Sequence, residues 1–132
     1  FENSVYAGIP ETLAALRGRG YVLGVATSKP EVFAKEIVAH FALDGYFDVV
    51  AGAELSEGGT KADVIRAALA ALGAEPEETA MVGDRRHDMI GAREVGAIGV
   101  GALWGFGDEG ELTKSGAAAL AATPADLLRI FA

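Results

Sequence analysis

The sequence predicts a three-layer α/β/α sandwich built on a parallel sheet. Short apolar, β-rich runs alternate with helical patterns along the chain, and no linker, internal repeat or low-complexity tract interrupts them. Strands that alternate with helices in this way form βαβ units, which place helices on both faces of one sheet. The 132 residues suit a single domain, residues 1–132, with a sizeable core.

Two strands and two helices are predicted in the first half of the chain. A capping box of the form Ser28-Lys29-Pro30-Glu31 opens the second helix. The predicted elements are, in order, a helix over residues 8–18, a strand from Tyr21 to Ala26, a helix that buries Phe33, Ile37 and Phe41, and a strand from Phe47 to Ala51. A loop rich in glycine and acidic residues follows, from Gly52 to Thr60.

The second half continues the alternation. Apolar residues at helical spacing give the third helix an inner face of Ile65, Ala68, Leu69 and Leu72. The predicted elements are a helix that opens at Lys61, a strand from Ala80 to Val82, a helix beginning near Asp88, a strand from Ala97 to Leu103, a helix from Glu109 to Lys114, and a final helix that buries Leu127, Leu128, Ile130 and Phe131. Four strands are therefore expected.

Composition and charge exclude several classes of function. The formal net charge of -8 leaves no basic patch for nucleic acid or an anionic membrane surface. The chain has no cysteine, which excludes disulfides, thiolate catalysis and cysteine zinc sites, and His40 and His87 are too few for a histidine-rich zinc site. No apolar run approaches the ~18 residues of a membrane span, and no signal-peptide pattern opens the chain. We expect a cytoplasmic protein without nucleic-acid or membrane partners.

Two carboxylates mark the candidate site. Asp84 follows Gly83, at which the strand from Ala80 to Val82 stops, and Asp88 lies four residues further on, where a helix begins. Open α/β sheets bind ligands at such strand-to-helix crossings. Carboxylate oxygens there suit Mg²⁺, which takes one or two protein carboxylates together with phosphate oxygens and water. The alternative is that Asp84 caps a helix and Asp88 is a first-turn acid that the helix dipole favours.

A hydroxyl pair and a lysine complete the constellation. Thr27 and Ser28 follow the first predicted strand, and Lys61 opens the third helix. Hydroxyls and neighbouring amides can hydrogen-bond phosphate oxygens, and an ammonium group neutralises their charge. Taken singly, Ser28 is equally well a helix cap, and Lys61 is better interpreted as a solvated first-turn lysine. Taken together with Asp84, they indicate a phosphate site.

These motifs, in this order, resemble those of the haloacid dehalogenase superfamily of phosphotransferases. The resemblance lies in Thr27-Ser28-Lys29-Pro30, Gly59-Thr60-Lys61-Ala62 and Val82-Gly83-Asp84-Arg85-Arg86-His87-Asp88. Within the superfamily the chain is most similar to the phosphoglycolate phosphatase and 5'-nucleotidase-like hydrolases. Trp104-Gly105-Phe106-Gly107, with Glu111-Leu112 and Gly116-Ala117, also looks like that branch.

The resemblance implies a parallel Rossmann-like sheet and a Mg²⁺-dependent phosphatase acting on a small phosphorylated metabolite. It assigns Thr27 to the hydrogen bond with the transferring phosphoryl group, Ser28 to phosphate support through its backbone, and Lys61 to charge stabilisation. Asp84 becomes the Mg²⁺ ligand, and Asp88 a further ligand or an acid that supports it. Arg85, Arg86 and His87 occupy variable positions and are expected on the exposed surface.

The family's first motif has no counterpart in this sequence. That motif, Asp-x-Asp-Gly-Thr, carries the aspartate nucleophile on a strand in the middle of the sheet. We therefore expect the central first strand, the nucleophile and the substrate-selecting cap to lie in an N-terminal segment outside these residues. The alternative is a non-catalytic phosphate-binding fragment that needs a partner segment to complete its fold. A response-regulator receiver domain is set aside, because there the acids precede the hydroxyl and lysine.

Overall fold

The computed structural model describes residues 8–52 and 60–132, and helices and strands alternate along them. The helices are α1 (Ile9–Gly18), α2 (Glu31–His40), α3 (Lys61–Leu72), α4 (Arg86–Val95), α5 (Glu109–Lys114) and α6 (Asp126–Ile130). The strands are β1 (Gly24–Ala26), β2 (Val49–Ala51), β3 (Ala80–Gly83), β4 (Ile98–Ala102) and β5 (Ala119–Ala121). None of the described helices is long and apolar enough to cross a bilayer. Most of the loop predicted for Gly52 to Thr60 lies outside the described residues.

The strands are parallel, as predicted, and form two separate ladders. β1 pairs with β2, with Val25 opposite Val50. β4 lies between β3 and β5, with Val82 opposite Val100 and Gly101 opposite Leu120. Within residues 8–52 and 60–132, no strand pairs with the second edge of β1 or of β3.

An apolar groove of about 520 Å³ lies between the two ladders. One wall is β1 with the residues before it, from Val22 to Ala26, and the other is the segment from Thr79 to Asp84. Side chains of α1 and α3, among them Leu13 and Leu69, line the groove as well. The unpaired edges of β1 and β3 both belong to these walls, so backbone donors and acceptors face an apolar space.

Two helix pairs enclose the ladders and give the predicted layered architecture. α3 packs on α4, and together they contact β1 to β4. α1 packs on α6, where Arg19 Nη1 donates to Leu128 O at 2.6 Å and the Tyr21 hydroxyl donates to Phe131 O at 2.9 Å. One buried cluster lies under α3 (Ala51, Val64 and Ala68), and a second lies under α6 (Val100, Ala121 and Leu127).

Three local predictions were wrong. β5 was missed because its three residues, Ala119–Ala121, form too short an apolar run to be distinguished from loop. The capping box at Ser28 does not form: Pro30 is the N-cap of α2 in an extended conformation, and the cap makes no side-chain hydrogen bond. The buried face of α2 consists of Ala34 and Val38, whereas Phe33 is 54% exposed.

The cap of α3 gives a first testable prediction. Thr60 Oγ1 accepts a hydrogen bond from Asp63 N at 3.2 Å, and Asp63 Oδ2 accepts one from Thr60 N at 3.4 Å, a reciprocal capping box. Thr60→Ala should lower the free energy of unfolding by about 1 kcal/mol, because it leaves the Asp63 N–H without its partner. Urea denaturation measures this change.

The matched control is Thr113→Ala in α5, since Thr113 is exposed and lies inside its helix. Equal unfolding midpoints for the two variants would contradict the cap.

The same cap predicts a dependence on pH. The pKa of Asp63 lies below its usual value, chiefly because the Thr60 side chain forms a hydrogen bond with its carboxylate. A lowered carboxylate pKa contributes stability above the unfolded pKa that is lost as the pH falls through the folded pKa. The decrease in the free energy of unfolding caused by Thr60→Ala should therefore become smaller as the pH falls.

Candidate active site

Lys61 joins the end of β1 to the start of α4. It is the first residue of α3, directly after the Thr60 cap. Its Nζ donates to the carbonyl oxygen of Ala26 at 2.9 Å and lies 3.1 Å from Asp88 Oδ1. The side chain is only 12% exposed. The structure therefore places this ammonium at the carboxyl ends of the strands and turns it away from bulk solvent.

Asp88 organises the loop that follows β3. It is the third residue of α4, and its side chain is 7% exposed. Oδ2 accepts hydrogen bonds from the backbone N–H groups of Asp84 and Arg85, each at 3.2 Å, while Oδ1 faces Lys61. A side chain at Gly83 would collide with Asp88 Cβ, so this packing requires glycine there. Both oxygens of Asp88 are thus occupied by groups of the chain itself.

Asp84 is the first residue beyond β3 and is half-buried. Its Oδ2 accepts a hydrogen bond from Phe106 N at 3.0 Å. The backbone at Gly105 and Gly107 runs so close to Asp84 that a Cβ at either position would overlap it. In the part of the chain that the structure describes, no group donates a hydrogen bond to Oδ1 of Asp84. One carboxylate oxygen is therefore held in place and the other remains available to a ligand.

Thr27 directly follows Ala26, whose carbonyl oxygen accepts the hydrogen bond from Lys61 Nζ. Its N–H donates to Ala51 O at 3.0 Å, which continues the β1–β2 ladder by one residue. Its Oγ1 accepts from Lys29 N at 3.2 Å. Because that oxygen serves as an acceptor, the hydroxyl proton remains available for donation. Ser28 follows with an exposed side chain, and no described contact joins it to Lys61 or to the two carboxylates.

The sequence assigned no role to Arg85 or Glu111, and the structure joins them. Arg85 Nε lies 3.1 Å from Glu111 Oε2, which also accepts from Arg86 N at 2.8 Å. The hydrogen bond from Arg86 N, and after it the Arg85 side chain, hold the pKa of Glu111 below its usual value. Arg85, Arg86 and His87 are exposed, as expected, and His87 Nε2 lies 3.9 Å from Asp88 Oδ1.

The loop after β4 completes one rim of the site. Trp104 is partly buried and packs against the cluster under α6. Phe106 is 85% exposed, although its N–H is bound to Asp84. Residue spacing gave no sign of this contact, because Asp84 and Phe106 lie 22 positions apart and meet only when β3 and β4 pair. The family resemblance of the Trp104–Gly107 segment was its only indication in the sequence.

The donor set at this edge suits a hard cation. Among the described residues, no group of three or more histidine, cysteine, aspartate or glutamate side chains is arranged to hold a metal ion. Mg²⁺ does not require such a cage, because it usually retains several waters and takes one or two carboxylates with substrate phosphate. The second oxygen of Asp84 fits that requirement.

Comparisons with known proteins identify the family. A family model described as haloacid dehalogenase-like hydrolase matches residues 2–102. A 5'-nucleotidase of Pseudomonas aeruginosa is 50% identical over 113 residues, covering 85% of this chain and 51% of the relative. A phosphoglycolate phosphatase of Aquifex aeolicus is 35% identical over 102 residues, covering 76% of this chain and 48% of the relative. The expected resemblance to these two kinds of hydrolase is confirmed.

Two further matches bear on function and fold. The tyrosine-protein kinase PtkA of Mycobacterium tuberculosis is 46% identical over 106 residues, covering 80% of this chain and 36% of the relative. The crystal structure of a predicted phosphatase from Clostridium acetobutylicum superposes with a TM-score of 0.92 at 41% identity, covering 99% of this chain and 61% of that one. The chain spans about half the length of the P. aeruginosa and A. aeolicus relatives.

The buried pair of Lys61 and Asp88 gives the second prediction. Asp88→Ala should lower the free energy of unfolding by roughly 3 kcal/mol, since a buried charge left without its partner is costly. Two backbone N–H groups lose their acceptor as well. Adding Lys61→Met should recover part of the loss, and urea denaturation of the single and double variants measures the coupling.

Lys35→Ala is the control, because Lys35 pairs with Glu31 on the surface at 61% side-chain exposure. An exposed pair of this kind contributes about 0.5 kcal/mol or less. Additive effects of Asp88→Ala and Lys61→Met would show that the two side chains are not energetically coupled.

Proposed function

Since the chain belongs to the haloacid dehalogenase-like hydrolases, we propose that it forms the phosphate- and metal-binding part of a Mg²⁺-dependent phosphatase. The substrate class is a small phosphomonoester of the phosphoglycolate or nucleotide kind. The observation that carries the proposal is the position of Lys61, whose ammonium bridges the end of β1 and Asp88. A cytoplasmic location stays a prediction.

Lys61 and Thr27 are proposed to bind the phosphoryl group. An ammonium group has three N–H donors, and Ala26 O and Asp88 Oδ1 account for two of them. The third can donate to a phosphoryl oxygen and stabilise the negative charge of the transition state. The hydroxyl proton of Thr27 can donate to a second oxygen, because Lys29 N already occupies the Oγ1 acceptor. Ser28 is proposed to contribute its backbone N–H alone.

Asp84 is proposed as the Mg²⁺ ligand of this chain. Its second oxygen has no donor among the described residues, whereas both oxygens of Asp88 already accept hydrogen bonds or face Lys61. Asp88 is therefore proposed to orient Asp84 and Lys61, one of the two roles that the family resemblance allows. Bound at Asp84, Mg²⁺ would neutralise phosphate charge and orient the substrate.

The nucleophile is proposed to come from outside these residues. In the described part of the chain, neither Thr27 nor Ser28 contacts a side chain that could act as its base, and an unactivated hydroxyl is a weak nucleophile. A strand inserted into the groove between β1 and β3 would pair with both free edges. An aspartate at its carboxyl end would then lie between Thr27 and Asp84, where it could form an aspartyl-phosphate.

Two competing functions remain open to test. The first is a non-catalytic phosphate-binding fragment. The unfilled groove between β1 and β3, and the lack of a base beside Thr27 and Ser28 among the described residues, would favour it as well. The second is transfer to a protein hydroxyl, because one relative is named a tyrosine-protein kinase. Hydrolysis releases inorganic phosphate from a monoester without a protein acceptor, so a phosphate-release assay separates these possibilities.

The nucleophile proposal predicts that residues 1–132 alone, with their mass verified, hydrolyse no p-nitrophenyl phosphate above the buffer rate. Supplying the Asp-x-Asp strand, in the same chain or as a separate segment, should restore Mg²⁺-dependent release of phosphate. The same strand with its first aspartate replaced by asparagine is the matched control and should restore folding without turnover. Turnover by the 132-residue chain alone would mean that one of its own residues attacks.

The metal assignment predicts that Asp84→Asn, in the active protein, raises the Mg²⁺ concentration for half-maximal activity by tenfold or more. The amide removes the negative charge that attracts the cation, while its oxygen can still accept from Phe106 N. Asp88→Glu should change the midpoint less, and Asp44→Asn, at an exposed position in a single helical turn, should leave it unaltered. A wild-type midpoint for Asp84→Asn would remove Asp84 from the metal site.

A further inference from the structure

Glu111, like Asp88, accepts a backbone hydrogen bond from the segment that follows β3. It belongs to α5, whose start is fixed by Asp108: Asp108 Oδ1 accepts from Glu111 N at 2.7 Å. From there the Glu111 carboxylate reaches the two residues that follow Asp84. Its Oε2 accepts from Arg86 N at 2.8 Å and from Arg85 Nε at 3.1 Å.

Three consecutive N–H groups of this loop are therefore bound by carboxylates. Asp88 accepts from Asp84 N and Arg85 N, and Glu111 accepts from Arg86 N. None of the three is free to bind a substrate phosphate. Their arrangement instead fixes the path of the main chain around Asp84.

Gly107 brings the two sides of the loop together. A Cβ at this position would overlap the carbonyl oxygen of Asp84 and would lie 3.1 Å from Glu111 Oε2. The main chain of Gly107 is also buried. Gly107, in the loop after β4, thus lies close both to the backbone of Asp84 and to the Glu111 carboxylate.

We propose that Glu111, paired with Arg85, is a positioning residue that holds Asp84 in the orientation that binds Mg²⁺. This inference rests on the proposed function. Glu111 does not contact the metal or the substrate; it acts by restricting the Asp84 loop. Loss of a residue that orients a metal ligand typically weakens metal affinity by 10–100-fold.

Calorimetric titration with MgCl₂, on the active protein without substrate, tests this role. Glu111→Ala should raise the Mg²⁺ dissociation constant about tenfold, because Arg85 and the Arg86 N–H both lose the carboxylate that binds them. Glu111→Gln should have a smaller effect, since its amide oxygen can still accept from Arg86 N. Arg85→Ala should also have a smaller effect, and Arg85→Ala combined with Glu111→Ala should resemble Glu111→Ala alone.

Glu109→Ala is the matched control, because Glu109 is an exposed acid in the same short helix. Thermal unfolding with and without MgCl₂ separates positioning from stability. The Mg²⁺-induced rise in Tm should shrink in Glu111→Ala and Glu111→Gln by more than in Glu109→Ala. A wild-type dissociation constant for Glu111→Ala, or an equal loss in Glu109→Ala, would overturn the inference. If Glu111→Ala fails to fold, Glu111→Gln and Arg85→Ala decide by the same criterion.

The result also separates this inference from the function on which it rests. The metal site itself is contradicted if the wild-type protein binds no Mg²⁺, or if wild type and Asp84→Asn bind it with equal affinity. Mg²⁺ binding that is present in the wild type, weakened in Asp84→Asn and unchanged in the Glu111 variants contradicts the positioning role alone.

Discussion

The contact between Lys61 and Asp88 is the interaction on which the rest of the site depends. It joins the first residue of α3 to the first turn of α4, and it forms only because these two helices approach closely. Gly91 permits that approach, since a Cβ there would lie 3.1 Å from Ala62 N and 3.2 Å from Lys61 Cβ. Gly83 leaves the space for Asp88. Without this packing, the ammonium would lose both its countercharge and its position beside β1.

The roles proposed for the polar groups depend on which of them already form hydrogen bonds within the fold. Backbone N–H groups at the start of a helix are common phosphate ligands, but at α4 they are bound by Asp88 and Glu111. Among the described residues, the groups left for the proposed phosphate contacts are therefore those that follow β1, together with Lys61. Asp84 keeps one free oxygen for a cation. The proposed phosphate contacts thus lie at the end of β1 and the proposed metal contact at the end of β3.

The sequence predicted those parts of the fold that depend on local patterns. Except for β5, the order of helices and strands follows from apolar periodicity and caps, as do the helix start at Lys61 and the strand before Asp84. It failed where a neighbour decides the outcome: Phe33 was expected in the core, but the face of α2 that meets β2 carries Ala34 and Val38. Glu111 could not be predicted from spacing, because it meets Arg85 across 26 positions and only after α5 folds beside α4.

In the described part of the chain, the groove between β1 and β3 leaves one edge of each strand unpaired, and this geometry affects both the stability of the fold and the chemistry of the site. Unpaired strand edges in apolar surroundings are unfavourable, because each N–H or C=O that loses water needs another partner. A strand parallel to β1 and β3 would satisfy both edges at once. Parallel strands in register end at the same edge of the sheet, so its last side chain would arrive between Thr27 and Asp84. Under the proposed function, such a strand would also deliver the nucleophile, and completion of the fold and of the active site would then be a single event.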